Sequence, residues 1–294
     1  MEVFLQACVS GLAQGCVYAL VALGFVLIYK ATEVANFAQG ELMMVGAYIH
    51  YSLVVFAGLD SLLALPLTLL LAGLLGATVE RALIHPLADE PPFVLLTVTI
   101  GLGILLRATT GMIWSHDTHK FPSPVPDGSY TLGGVIVSSV DLWALGATAL
   151  VTALLYAFFH WTRLGTAMRA VAQNRYAAQL MGIRVQRIFT LTWALSAAVA
   201  ALGGMVLADA SYLHTNMGFI GLVALPAAVL GGLESIPGAL IGGLVIGLAE
   251  NLAGAYLDPF LGGGVKEIFA FVLLLGVLLV RPTGLFGLPN TKRV

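Results

Sequence analysis

Few side chains in this sequence could do chemistry, and most of those lie inside apolar runs. Asn36, Gln39 and Glu41 open the second apolar run. Asn36 is a natural N-cap. Gln39 stands three residues on, as in a capping box. Glu41 then falls in the first helical turn, where the helix dipole favours a negative charge. The same three residues also fit a break in a helix wall facing a solute path, the arrangement that broken helices provide in transporters. Glu250 and Asn251 form the other polar pair deep in an apolar run. Ionisable groups there are costly to desolvate and usually face a cavity or a partner; the pair also fits a plain helix end. Arg107 sits within the fourth apolar run, where it either snorkels or pairs inside the bundle.

Covalent and metal chemistry have no visible constellation. The four lysines follow Tyr29, His119, Val265 and Thr291, so no Gly-Lys pair and no phosphate-binding loop exists. No histidine is followed by Glu, and no Gly-x-Ser-x-Gly elbow occurs. His116 and His119 sit in a polar stretch without a cysteine partner and read as a solvated loop. Cys8 and Cys16 share the first apolar run and read as small core residues. The sequence predicts no catalytic residue, no metal site and no cofactor on this chain.

The elements that position these residues are set by composition. Of 294 residues, 59% are hydrophobic and 10% charged, where a soluble domain carries about 25% charged. A membrane helix takes about 20 residues, so there is material for eight or nine spans. A soluble enzyme is excluded, and 13 basic against 15 acidic residues exclude a nucleic-acid binder. Apolar stretches run roughly over 6–29, 38–57, 61–84, 93–114, 141–160, 188–208, 218–233, 236–257 and 265–281. The seventh is short enough to be a half-helix lining a cavity. Arg163, Arg169, Arg175, Arg184 and Arg187 make the densest basic stretch and mark the cytoplasmic side. Lys30, Arg81, Arg281, Lys292 and Arg293 fall on that side when spans are counted outward. Asp60, Asp117, Asp127 and Asp258 fall on the other. That count works if the seventh stretch crosses. Gly11 and Gly15, Gly238 and Gly242, and Gly243 and Gly247 have small-xxx-small spacing, which suits close helix packing in lipid.

The stretch between the fifth and sixth apolar runs is long for a loop here and well built as a helix. Asn174 is a suitable N-cap. Arg175, Tyr176, Ala177, Ala178, Gln179, Leu180 and Met181 follow, and Gly182 suits a left-handed C-terminal cap. A helix this short is marginal alone in water, so it needs something to rest on. Anionic lipid headgroups could hold it through its arginines, and so could a cytoplasmic protein.

Residues 174–183, Asn-Arg-Tyr-Ala-Ala-Gln-Leu-Met-Gly-Ile, resemble the coupling-helix motif of ABC importer permeases, Glu-Ala-Ala followed by Gly. Tyr176 stands where that motif has Glu. The segment from Tyr18 to Tyr29, leading into Asn36 to Tyr48, resembles the first signature of branched-chain amino-acid permeases, the H-type subunit in particular. That family often has His at the position of Gln39. Leu225 to Gly243 and Val280 to Gly287 resemble later segments of the same family, in the same order. The resemblance implies an all-α polytopic transmembrane bundle of about eight or nine spans. It implies one permease domain, 1–294, with a cytoplasmic coupling loop at about 161–187, in a bacterial cytoplasmic (inner) membrane. It further implies a second homologous permease, two cytoplasmic ATPase subunits holding ATP and Mg, and an extracytoplasmic substrate-binding protein. Asn174 to Gly182 would couple to the ATPases. Asn36, Gln39, Glu41, Glu250 and Asn251 are the candidates for the pathway. The expected cargo is branched-chain amino acids, or related amino acids, amides or urea, moved by alternating access. The alternative is a secondary transporter or channel without ATPases, which would need ion-coupling carboxylates; Glu250 is the strong candidate for one. A membrane-embedded enzyme ranks third.

Overall fold

The computed structural model describes residues 2–287 except 89, 127, 133 and 262. Asp127, Lys292 and Arg293 of the orientation argument lie outside the described residues. The chain is about four-fifths helix. Its helices are α1 (Glu2–Thr32), α2 (Gln39–Val55), α3 (Ser61–Val79), α4 (Pro92–Trp114), α5 (Ser139–Trp161), α6 (Arg163–Gln173), α7 (Arg175–Leu180), α8 (Val185–Ala210), α9 (Ile220–Gly231), α10 (Ile236–Leu261) and α11 (Val265–Val280). Among the described residues six helices are long and apolar enough to cross a membrane: α1, α3 with its extension to Leu87, α4, α5, α8 and α10. The expected eight or nine spans are not reached by that measure. α2 is 17 residues long, and the 215–231 segment is as short.

Each apolar stretch becomes helical, and burial sorts the helices into a centre and a rim. From Gly15 to Ile28 every residue of α1 is buried. A helix apolar all round has no solvent face and belongs inside a bundle. α8 shares this centre, whereas α3, α4 and α5 bury about a quarter of their most apolar window. Their exposed leucines, such as Leu63, Leu70, Leu105 and Leu150, form an apolar outer wall suited to lipid. In lipid, association relies on close backbone approach. Gly11 and Gly15 of α1 accordingly face Gly247, Leu244 and Gly243 of α10; a Cβ on Gly15 would stand 2.9 Å from Leu244 Cα. Gly238 and Gly242 lie against Gly231 and Ala227 of α9 in the same way.

Contacts divide the molecule into two ends. At the basic end, Lys30 lies 5.9 Å from the Phe159 ring and Arg175 donates to Thr32 O at 3.2 Å. A π-helical turn, Glu80–Ile84, carries Arg81 there, and buried Glu80 accepts from Thr190 at 2.6 Å. At the opposite end the stretch after α4 is not a plain polar loop. β1 (Ser129–Leu132) pairs antiparallel with β2 (Val135–Ser138). Gln6 of α1 brackets Ile136, donating to its carbonyl and accepting from its N–H, both at 3.0 Å. His119 and Leu213 exchange backbone hydrogen bonds. Ser138 and Asp141 form a capping box that starts α5.

Candidate functional site

Two places gather the sequence-predicted residues. The first is the start of α2. After α1 ends at the basic end, residues 33–38 run back into the bundle without regular structure, and Asn36 and Gln39 are fully buried. The expected capping box is not what forms. The N-cap of α2 is Ala38, with no side-chain cap. Asn36 Oδ1 instead accepts from Ala38 N at 3.1 Å, and its Nδ2 donates to Gln39 Oε1 at 3.2 Å. Gln39 is therefore drawn forward into the core rather than back to the Asn36 N–H. Ser196 of α8 donates to Gly24 O of α1 at 2.9 Å, with Gln39 Oε1 3.1 Å away. A buried amide needs such partners, because leaving one unpaired costs about 1–3 kcal/mol.

Glu41 is two residues further on and is also buried. Arg107 of α4 donates to Glu41 Oε1, so the arginine pairs inside the bundle rather than snorkelling. The Arg107 guanidinium lies 3.8 Å from the centre of the Phe219 ring. Close approach of small residues leaves the carboxylate its space. A Cβ on Gly103 would stand 3.3 Å from Glu41 Oε2, and one on Gly218 would stand 3.2 Å from Oε1. α4 is tied in again where Phe37 N donates to Thr99 Oγ1 at 3.2 Å. Beside the pair lies a cavity of about 650 Å³ that opens along the exposed face of α4, between Ile104 and Met112. α2 and α9 meet here near their N-termini: a Cβ on Gly40 would stand 2.9 Å from Gly221 Cα. From that point α2 runs to the end where Ser52 accepts from Trp114, and α9 runs to the basic end, where Leu230 O accepts from Leu285 N.

Glu250 and Asn251 are placed elsewhere. Tyr18 of α1 donates to Glu250 Oε2 at 2.7 Å within the α1–α10 contact. Asn251 donates to Gly247 O at 3.0 Å and accepts from Lys266 at 3.3 Å, lining a second cavity of about 550 Å³ with Glu2, Gln6 and Asp258. Sequence reasoning missed Ser196, Phe219, Thr99 and the partners of Arg107 and Glu250. A lone Phe at the head of the short seventh run was the one local hint.

The second place is α7, at the basic end. Asn174 accepts from Ala177 N at 2.9 Å and caps it. The helix ends one residue earlier than expected: Met181 is the C-cap, and Gly182 takes φ +82. Gly182 N then donates to Gln179 O at 2.9 Å and Ile183 N to Ala178 O at 3.0 Å, satisfying the last carbonyls. Ala178 faces inward and is buried. Arg175 ties the helix down, bonding to the C-terminal carbonyl of α1 and lying 4.9 Å from the Phe189 ring of α8. Tyr176, Leu180 and Met181 point outward, Leu180 at 89% exposure. No group of three or more His, Cys, Asp or Glu that could hold a metal ion occurs among the described residues.

Residues 7–279 match the family model described as "Branched-chain amino acid transport system / permease component". The chain belongs to this permease family. It is 34% identical to the "High-affinity branched-chain amino acid transport system permease protein BraD" of Pseudomonas aeruginosa, over 99% of this chain and 98% of that one. It is 33% identical to the corresponding protein LivH of Escherichia coli, again over 99% and 98%. An archaeal relative, the "Probable branched-chain amino acid transport permease protein LivH" of Methanocaldococcus jannaschii, is 30% identical over 93% of the permease and 89% of its own length. Among solved structures, the permease matches a chain of "PsaBC from Streptococcus pneumoniae in complex with Fab" with a TM-score of 0.52, 15% identity and coverage of 97% and 94%. At that identity the match speaks for the fold alone. The permease is a multi-pass membrane protein.

Proposed function

We propose that this permease is one transmembrane subunit of an ATP-driven ABC importer for branched-chain amino acids, or related amino acids, amides or urea, in a bacterial inner membrane. It does no covalent chemistry itself. Two cytoplasmic ATPase subunits bind ATP and Mg, a second homologous permease completes the path, and an extracytoplasmic protein delivers the substrate. Residues 1–294 act as one membrane domain with a cytoplasmic coupling loop at about 161–187. Full-length relatives whose names specify branched-chain amino acids support the cargo. The arginines gathered around α7 support the cytoplasmic assignment of the basic end. In this reading α11 adds a seventh crossing to the six long helices, and α2 and α9, each covering part of the depth from their meeting point at Gly40 and Gly221, bring the count to eight if taken as one span and nine if taken as two.

The observation that carries this reading is α7 itself. Six residues cannot hold a helix in water by propensity. Here both ends are capped and Arg175 anchors it, while three large apolar side chains face away from the bundle at the charged end. Such a knob suits the groove of a partner protein. It is also mechanically placed. Arg175 touches α1 and α8, and Gly24 of α1 and Ser196 of α8 meet Gln39 at the head of α2. A push on α7 by closing ATPases thus reaches the polar centre through rigid elements, biasing one bundle state over another. The test is a pull-down of the tagged chain from its native membrane in mild detergent. The expected result is a stoichiometric ATPase subunit and a second permease. A chain recovered alone, under conditions that hold known transporter complexes together, would favour a secondary transporter and make Glu250 the next residue to replace.

A further inference from the structure

We propose that Glu41 and Arg107 form the subsite that holds the charged head of a transported amino acid at mid-depth, with its apolar side chain in the adjoining cavity. This rests on the importer reading and names the residues that recognise the cargo.

Position comes first. α4 runs from Pro92 to Trp114, and Gly103 is its middle residue. Glu41 packs on Gly103, so the carboxylate lies halfway along a helix long enough to cross the membrane. Transporter substrate sites lie near the midplane at discontinuous helices. Here α2 and α9 begin in contact inside the bundle.

Chemistry comes second. An amino acid carries one carboxylate and one ammonium on adjacent groups. The protein offers one guanidinium and one carboxylate, also adjacent. In the structure the two satisfy each other. A zwitterion can enter by exchange: its carboxylate takes the guanidinium and its ammonium takes Glu41. Each charge is then paired before and after, and no net charge is carried into the apolar centre, where an unpaired ion is severely penalised. A plain cation or a plain anion would leave one protein charge unmatched.

The guanidinium is also built for this. Its Nη2 serves Glu41, but its Nε is buried and has no hydrogen-bond partner. A buried donor without a partner in a native site calls for an explanation. A carboxylate accepting from Nε and Nη2 together would supply the two-pronged geometry that arginine favours. Phe219 covers the face of the guanidinium and so fixes its plane. The space beside it, about 650 Å³, lies within the usual range for small-molecule pockets, about 300–1,000 Å³. It is an open groove: half-buried Phe37 and the exposed Ile100, Ile104, Ala108, Met112 and Leu222 give it apolar walls that suit a branched aliphatic side chain, and His116 adds a polar edge.

The competing view is that the pair only tethers α2 to α4. The two views differ on a double variant. Removing one partner of a buried pair leaves a stranded charge, whereas removing both is often neutral. The test uses the whole transporter, with its ATPases, second permease and binding protein, in proteoliposomes taking up radiolabelled leucine. Assembly is followed by co-purification of the ATPase subunit. E41Q and R107Q should each lower uptake about ten- to hundredfold, the value of one charge-assisted hydrogen bond. The double variant E41Q/R107Q should do no better. Full uptake by either single variant, or recovery in the double variant, would overturn the subsite and leave the importer reading standing. An unmodified assembly that moves amides or urea but no amino acid would overturn the subsite alone, and one that moves none of these would overturn both. Should the variants fail to assemble, the unmodified complex is labelled with phenylglyoxal and Arg107 is read by peptide mass spectrometry. Saturating leucine should slow its labelling, while 3-methylbutylamine, which lacks the carboxylate, should not. Equal labelling with and without leucine would overturn the subsite.

Discussion

α7 and the head of α2 begin with the same residue and the same local device. Asn174 turns its Oδ1 onto a backbone N–H three residues ahead, and Asn36 turns its Oδ1 onto one two residues ahead. Their surroundings are opposite. Asn174 is itself exposed and starts a surface helix. Asn36 is fully buried, and its second function, the amide nitrogen, is committed to Gln39. At the surface the asparagine helps a marginal helix exist. In the core it feeds a chain of polar contacts that joins α1, α2 and α8. The local pattern sets a turn; burial decides what depends on it.

Substitutions sharpen that contrast, and the largest effect should come from glycines. A valine at Gly40 would drive its side chain into the backbone of Gly218 and Gly221, which cannot yield without parting α2 from α9. Gly40→Val should cost more than about 3 kcal/mol and abolish a monodisperse size-exclusion peak in detergent. Gly182→Val meets nothing within 4 Å, so only strain at φ +82 remains, about 1–2 kcal/mol and local. Its unfolding temperature should hold while substrate-driven ATP hydrolysis uncouples from uptake; intact coupling would count against α7 as the docking element. Next come the caps. Asn36→Ala strands the buried Ala38 N–H and removes one of the Gln39 Oε1 partners, and should destabilise by about 2–3 kcal/mol. Asn174→Ala should cost about 1 kcal/mol, confined to α7. Thermal unfolding for the first, and hydrogen exchange at 175–180 for the second, check the pair; equal global shifts would erase the distinction. Smallest in stability is Leu180→Asp. An 89% exposed side chain should change stability by under about 0.5 kcal/mol. The same change should release the ATPase subunit in a pull-down, and retention would place the contact elsewhere.

Much of this fold was legible because lipid imposes a blunt code. Nine apolar stretches became helices near their expected limits, and the small-xxx-small glycines of α1 and α10 do face one another. α7 was legible too, since Asn174 and Gly182 are local signals for its two ends. The hairpin was not, although the sequence from Tyr130 to Val137 sets a Gly-Gly pair between two short β-prone runs, a local signal for a hairpin. Its weight was lost among polar neighbours. Least legible was the polar centre. Arg107 is 66 positions from Glu41, and Gln39 is 157 from Ser196. Periodicity carries no information about which buried polar groups meet across such separations. The capping-box reading of Asn36 failed for a related reason: it assumed a solvated helix end, where no distant partner competes for Gln39.

The burial of α1 bears on how the molecule is made. Its partner for Tyr18 lies 232 residues downstream, and its glycines wait for α10. During synthesis this helix must therefore lodge in the bilayer with its close-packing face against lipid chains, long before the segment that covers it leaves the ribosome. Contacts so distant in sequence form slowly. A chain truncated ahead of α10 would keep its topology and lack its axle, and the cell's membrane quality-control proteases would meet it in that state.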